Sequence, residues 1–390
     1  MRILFYRYNS ICEPDVMMAL KDLGHDVETI DLEIERKDLP PAETVLAISK
    51  KLDEKSYDAI FSINYYPAIS KVAEIYHIRY ISWTVDAPVM ELWSNTMTSP
   101  WNRTFIFDLA EYNLFKDCNP GKVFHMPLAS NVKRINALFE GLNGQRRFKE
   151  DISFVGSLYN EKNPVMKLPG IENSYLGGFL KAACTIQSKL YGGFILEDVL
   201  TEDIIEEFKK KYDGYYTPPE TFVTDDRHTI ASLYLAPWAT TMERERIAEL
   251  LYKYFRFGLY TRSKLDHLKV RGKGSVSTLV EMPQVFRNSV ININMTHKGI
   301  RTGVPLRVFD IMAAGGFVLS GYQQEMFDIF TPGEDFDFFT TDDEMTEKCL
   351  FYLEHQNIAR EMAENAYNKV KTMHSYQVRM EEILKLSFSI

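Results

Sequence analysis

Short apolar runs alternate with amphipathic stretches along almost the whole chain, and this alternation constrains the fold more than any other feature. The opening "MRILFYRYNS" is strand-like, "PDVMMALKDLGH" is helical, and "DVETIDL" is strand-like again, with Gly24 where a helix C-cap belongs. Strand, helix, strand is a βαβ unit. The rhythm continues through "YDAIFSINYYP", "ISKVAEIYHI", "RYISWTVDAP", "NRTFIFDLAEYNLFKDC" and "KVFHMPLASN". Short apolar strands each followed by a helix or polar loop predict a parallel sheet covered by helices.

The charged, glycine-containing run "FEGLNGQRRFKED" reads as a linker that closes a first domain over 1–145, and the strand "ISFVGS" opens a second over 151–372. From about 161 to 254 the apolar residues fall at three- and four-residue spacing, in "GGFLKAACTIQSKLYGGF", "TEDIIEEFKKKY" and "TTMERERIAELLYKYF". This is expected to be a helical insertion. Strands resume at "FGLYT" and "SVININM" around a helical "STLVEMPQVFRN", and the tail, 373–390, is an amphipathic helix able to cross back over the first domain.

A length of 390 residues with 45% hydrophobic and 25% charged side chains fits about two globular domains. A net charge of -9 argues against nucleic acid or an anionic membrane as the main partner. Cys12, Cys118, Cys184 and Cys349 lack CxxC or zinc-ligand spacing and read as small buried hydrophobes in a reducing compartment. With no signal-peptide core at the N-terminus and no bilayer-spanning apolar run, a cytoplasmic location is expected.

The chemistry concentrates in "GIRTGVPLRVFDIMAAGGFVLSGY", 299–322, where a basic loop runs into a small-residue helix. A helix starting near Val304 to Leu306 offers unpaired N–H groups and partial positive charge, an anion site, and Pro305 suits its first turn. Arg301 and Arg307 add planar donor forks matched to phosphate oxygens, and His297 and Lys298 stand just before them. Asp310, three residues beyond Arg307, is placed to accept from the adjacent hydroxyls of a ribose. Ala313, Ala314, Gly315 and Gly316 let the helix lie close to its sheet and then turn. Together these residues read as a clamp for a nucleoside diphosphate; the competing reading is a surface salt bridge between Arg307 and Asp310 beside an ordinary C-cap.

The stretch from "NINMTHKGIRTGVPLRVFD" to "GEDFDFF", with "DISFVGSLYNEKNP" before it and "HSYQVRMEEIL" after it, resembles the C-terminal domain of the CgeB-type (spore maturation protein) glycosyltransferase family. "AIFSINYYPAISKVAEIYHIRYISWTVDAP", "FIFD" and "HMPLASN" are similar to the N-terminal domain that accompanies it, so the resemblance spans nearly the whole chain. It implies a GT-B fold, two Rossmann-like domains facing across a cleft, with the nucleotide sugar on the C-terminal domain, the acceptor on the N-terminal one, no cofactor and no obligatory metal. UDP is the expected nucleotide, and a hydroxyl acceptor, of a protein or a surface or spore polymer, is the expected partner. By position in the resemblance, Asp310 stands at the ribose in place of the commoner glutamate. Thr302 stands where many retaining enzymes carry the first acid of an E-x7-E pair. Gly156 and Ser157 are expected near sugar or phosphate, Tyr260 and Thr261 near the base, and Thr296, Thr302 and Gly303 in the donor loop.

An inverting transfer needs a base for the acceptor hydroxyl. Asp86, after the strand "RYISWTV", is the choice, with Trp83, Trp93 and Trp101 near it in sequence for sugar stacking and Asn64 and Tyr65 on the acceptor side; the competing reading makes Asp86 a loop or helix-capping acid, the tryptophans core and Tyr65 a packing residue. Glu13, Asp15 and His125 are weaker candidates. "DFD" at 335–337 imitates a metal motif and "RGKGSVS" a dinucleotide fingerprint, each without its structural context, so neither metal nor NAD is expected. Two rival functions stay open, a non-catalytic carbohydrate-binding, nucleotide-binding or coat-assembly protein on the same fold, and a sugar-nucleotide epimerase of similar architecture.

Overall fold

The structure, a computed structural model, describes residues 1–37, 39–142, 148–165, 168, 170–212 and 214–388. The chain divides into two units, one of Met1–Asn131, Pro218–Val223 and Thr372–Ile390, the other of Val132–Thr217 and Thr224–Lys371.

The first unit is built on a six-stranded sheet of order β2-β1-β3-β4-β5-β6. Its strands are β1 (Arg2–Tyr6), β2 (Asp26–Ile30), β3 (Ala59–Ile63), β4 (Arg79–Trp83), β5 (Asn102–Ile106) and β6 (Val123–His125), paired in parallel throughout. Leu4, Phe5, Ile60, Phe61, Ile81 and Phe105 are fully buried, which explains runs in which apolar residues sit side by side rather than alternating with polar ones. The order reverses between β1 and β3, a topological switch point of the kind beside which open α/β sheets bind ligands. The first helix, Glu13–Asp22, ends at Leu23, and Gly24 takes the left-handed φ of 82° that the turn into β2 requires. The tail helix, Tyr376–Phe388, packs on Glu13–Asp22. Residues Pro218–Val223 join this unit through a bridge from Phe222 to Ser94 and a 2.8 Å bond from the Asn95 N–H to the Thr221 carbonyl. No periodicity in the sequence announces that pairing.

The second unit has a parallel sheet of order β11-β10-β9-β7-β8, formed by β7 (Glu150–Val155), β8 (Phe257–Tyr260), β9 (Ser289–Asn294), β10 (Val318–Gly321) and β11 (Asp337–Phe339). The helices Tyr175–Gln187, Glu202–Lys211 and Ala236–Tyr254 have a core of their own around Leu180, Phe208 and Leu235. A π-helical stretch, Ile230–Leu235, leads into the last of them, next to Pro237, which has no N–H to close a regular ladder. Residues 132–141 of the chain before β7 are helical, and 143–147 of the expected linker lie outside the described residues. The helix expected over "STLVEMPQVFRN" begins only at Met282, with Pro283 in its first turn.

The helix Leu306–Ala313 follows the basic loop, but Pro305 occupies the N-cap position with an extended backbone and not the first turn. Its far end shows why small residues are needed. Gly315 turns the chain at φ 75°, and a Cβ on Gly316 would sit 2.8 Å from the Phe286 carbonyl oxygen and 2.7 Å from the Asn292 side-chain nitrogen. Asn292 itself donates to the Phe286 carbonyl at 3.1 Å, so the methyl group would press on a buried hydrogen bond. No described helix is long and apolar enough to cross a membrane. Gly316→Ala is therefore expected to destabilise the protein by about 1–3 kcal/mol in urea unfolding, as overpacking does; an unchanged midpoint would show that the helix is not held this close.

Candidate functional site

In the second unit the C-terminal ends of β7 and β9 are tied together by one buried arginine. Arg244, from the helix Ala236–Tyr254, donates from Nη1 to the Ser157 carbonyl at 2.6 Å and from Nη2 to the Met295 carbonyl. Its exposure is 9%, and these hydrogen-bond partners are carbonyls, so its charge is not cancelled by a bonded carboxylate. Burial pushes its pKa below the ordinary value. Its guanidinium lies 4.9 Å from the ring of Tyr159, a residue at φ 70°, and that ring lies 4.6 Å from His297.

His297 is pulled down to a pKa of about 3, first by burial and then by the charges of Arg244, Lys162 and Lys298. Its Nδ1 accepts from the Gly299 N–H at 3.0 Å, which leaves the proton of the neutral ring on Nε2. Arg307 lies in the first turn of its helix against the Met282 sulfur and the Phe286 ring, and burial lowers its pKa too, with Arg244 adding repulsion and Asp310 opposing it. Among the described residues it makes no ion pair, so a simple salt bridge to Asp310 does not account for it. Arg244, Lys162 and Lys298, the last paired with Glu243, thus act on His297, and Arg307 lies in the field of Arg244. Such a cluster suits an oxyanion with spread charge.

The sequence-derived residues divide sharply. Thr296, His297, Lys298 and Arg301 line one pocket after β9, where Thr296 accepts from Asn294 at 3.1 Å. Arg301 stacks 4.4 Å from the Phe194 ring and pairs with Glu197, so it serves the pocket wall rather than standing ready for phosphate. Thr302 and Gly303 follow in the loop, the Thr302 carbonyl accepting from the Glu325 N–H at 3.0 Å. Gly156 follows β7 directly, with its N–H on the Tyr260 carbonyl at 3.0 Å. The Ser157 hydroxyl donates to Glu161 at 2.6 Å and accepts from the Tyr159 N–H, so Ser157 contributes through its carbonyl, not its side chain. Tyr260 is a correction. Its hydroxyl donates to buried Glu150 at 2.7 Å and is not presented to a base, and Gly258 is small because a Cβ there would meet Glu150 at 2.7 Å. Thr261 accepts from the Ser263 N–H at 3.1 Å and holds a turn. Asp335 and Asp337 of "DFD" bond to Lys369 and Lys348.

Arg244, Tyr159 and Lys162 escaped sequence reasoning as site residues. Arg244 lies in an amphipathic helical run where an arginine reads as surface, and only its burial marks it.

In the first unit, Asn64 stands at φ 59° just after β3, a conformation that asparagine tolerates. It donates from Nδ2 to Asp86 at 2.8 Å and to the Tyr8 hydroxyl at 3.0 Å, while its Oδ1 accepts from the Val85 N–H at 3.0 Å. Asp86 is exposed at the C-terminal end of β4, beside the switch point. For the aromatic residues the packing reading holds over sugar stacking. Trp83 is fully buried, donating to the Met126 carbonyl at 3.2 Å, and Tyr65 is 1% exposed with its hydroxyl on Thr96. Trp93 packs on Phe115, and Trp101 stacks on His77 near the start of β4, the end away from Asp86. Glu13 is buried against Arg7 and the Tyr8 N–H, Asp15 accepts from Asn131, and His125 contacts the Phe107 carbonyl.

Residues 241–385 match a protein-family model described as glycosyl transferase-like. The fold is shared with a glycosyltransferase from Rickettsia africae at 11% identity and a TM-score of 0.54, over 99% of this chain and 97% of that one. It is shared also with a sucrose-phosphate synthase from Thermosynechococcus elongatus at 11% identity and 0.54, over 99% and 98%. The Anabaena protein HepE in complex with UDP-glucose matches at 10% identity and 0.50, over 99% and 98%. No curated protein matches the sequence. The likeness establishes the fold as GT-B, two parallel-sheet α/β units.

Neutral His297 carries a pH signature. Its folded pKa lies below the unfolded value of ~6.5, so the unfolded chain binds the extra proton between them. Stability is expected to be full above ~6.5 and to fall as pH drops toward about 3. Urea unfolding between pH 7 and pH 5 should show a loss, at most about 1.4 kcal/mol per unit from this group, that is smaller in His297→Gln. Equal losses in the two proteins would mean His297 is not held neutral.

Proposed function

We propose that the protein is a GT-B glycosyltransferase that moves a sugar from a nucleoside diphosphate sugar to an acceptor hydroxyl. The observation that carries this is the gathering of positive charge at the strand ends of the second unit, where Arg244, Lys162 and Glu243-paired Lys298 act on neutral His297 and Arg307 lies in the field of Arg244. The glycosyl transferase-like match over 241–385 covers Arg244, Lys298 and Arg307.

The bond that breaks joins the anomeric carbon to the diphosphate, and negative charge grows on the leaving oxygen as it breaks. Fixed cations in a partly buried site stabilise that charge more in the transition state than in the ground state. In this reading they do the work that a metal ion does elsewhere. Asp310, three residues along the helix from Arg307, is assigned to the ribose hydroxyls. UDP is the nucleotide we assign, in keeping with the UDP-glucose held by the HepE structure.

The acceptor's proton is assigned to Asp86. Asn64 holds one of its oxygens at 2.8 Å, and its exposure keeps it accessible to a hydroxyl. The affinity for the CgeB-type family, a polymer or protein acceptor and a cytoplasmic location belong to the same proposal.

Arg307→Met keeps the aliphatic stem and removes the charge, so calorimetry with UDP in EDTA should show binding weakened by about 1.5–3 kcal/mol. Unchanged affinity would remove Arg307 from the clamp. Asp86→Asn should leave UDP binding intact and lower turnover by about a hundredfold or more. Turnover at the original rate would return Asp86 to a loop role and leave the base unassigned.

A further inference from the structure

The pocket after β9 and β10 in the second unit differs in chemistry from the cation cluster next to it. Its outer wall is the loop from Leu190 to Phe194, and that wall is locked onto the end of β10 by close packing. A Cβ on Gly321 would lie 2.6 Å from Tyr191 Cε1, and one on Gly192, at φ 73°, would lie 3.0 Å from Tyr322 Cε1. The Tyr191 ring also carries the Lys298 ammonium 4.3 Å from its centroid.

Inside the pocket, Glu243 is 1% exposed, and its Oε1 accepts from Lys298 at 2.9 Å. Its Oε2 is buried with no hydrogen-bond partner, and so are the Tyr191 hydroxyl and His297 Nε2. Glu243 acts on Tyr191 both as a charge and as a side-chain hydrogen-bond partner, although the contact does not reach ordinary hydrogen-bond geometry. Burial first, and then the Glu243 charge, raise the Tyr191 pKa, so its hydroxyl remains a donor, as does Nε2 of neutral His297. The pocket therefore offers one acceptor and two donors whose buried, unmade bonds cost free energy until something satisfies them.

Its charges, by contrast, are already matched. Lys298 pairs with Glu243, and Arg301 pairs with Glu197. A second carboxylate brought beside Glu243 would meet like charge with little solvent to screen it. A hydroxyl can donate to Glu243 and accept from Tyr191 or His297 at no such cost.

We propose that this pocket reads the sugar of the donor and selects a neutral, hydroxyl-bearing sugar over an anionic one such as a uronate, an inference that rests on the nucleotide-sugar reading above. Glu243 and Tyr191 are its specificity-determining residues.

The test uses the full chain with two kinds of probe. Saturation-transfer NMR with free glucose, galactose, mannose, N-acetylglucosamine and glucuronate reads sugar binding, which the two variants below assign to this pocket, and calorimetry with UDP, GDP and ADP reads the cation cluster. At least one neutral sugar is expected to bind and glucuronate is not. Tyr191→Phe should weaken the neutral sugar about tenfold, the loss of one buried hydrogen bond. Glu243→Gln should weaken it also and, by leaving Lys298 without its carboxylate, admit glucuronate, a reversal that general loosening of the fold does not produce. The proposal is overturned if glucuronate binds the wild type as well as any neutral sugar, if no neutral sugar binds, or if both variants bind as the wild type does. Sugar binding with this selectivity but no nucleotide binding would uphold the pocket and overturn the nucleotide-sugar reading instead.

Discussion

The buried guanidinium of Arg244, donating to the Ser157 and Met295 carbonyls, is the interaction on which the site depends. It fixes two loops that leave adjacent strands, β7 and β9, and it brings a positive charge to their ends. A buried arginine without a bonded carboxylate costs free energy in the empty protein. The cost makes sense if an anion supplies the missing charge, and the same charge lowers the pKa of both His297 and Arg307. Removing Arg244 would release the loops as well as the field, which is why it is a poor choice for testing the anion alone.

Two chemistries lie side by side in the second unit. Around Arg244 the cations exceed their bonded partners, a setting for phosphate. Around Glu243 and Tyr191 the charges are balanced and hydrogen-bonding capacity is left over, a setting for hydroxyls. His297 belongs to both, with its ring against Tyr159 and its Nε2 unsatisfied. A nucleoside diphosphate sugar presents the same sequence of charged and hydroxylated groups.

The sheets were legible because parallel strands buried on both faces leave near-continuous apolar runs such as "RILFY" and "AIFSI". The helix at 306–313 was legible from its proline, its basic loop and its terminal glycines. What escaped depended on contacts distant in sequence. Arg244 looks like a surface residue until the helix carrying it packs beside β8 and its guanidinium reaches the carbonyls that follow β7 and β9. Tyr260 and Trp83 have side chains suited to ligands, yet Glu150 takes the hydroxyl of one and the Met126 carbonyl the indole N–H of the other. The pairing of Phe222 with Ser94 rests on backbone hydrogen bonds, which carry no side-chain signature. Side-chain type showed where chemistry was affordable; burial and partners decided which residues remain available for it.

Thermal unfolding of the wild-type protein with UDP, GDP, ADP, CMP and TDP in EDTA tests the central claim most directly, because a ligand that binds only the folded state raises its stability. A cation cluster built for a diphosphate requires a rise with at least one nucleoside diphosphate and none with CMP at equal concentration. No rise with any diphosphate, or one seen only when a divalent metal is restored, would contradict the claim that these side chains alone hold the leaving group.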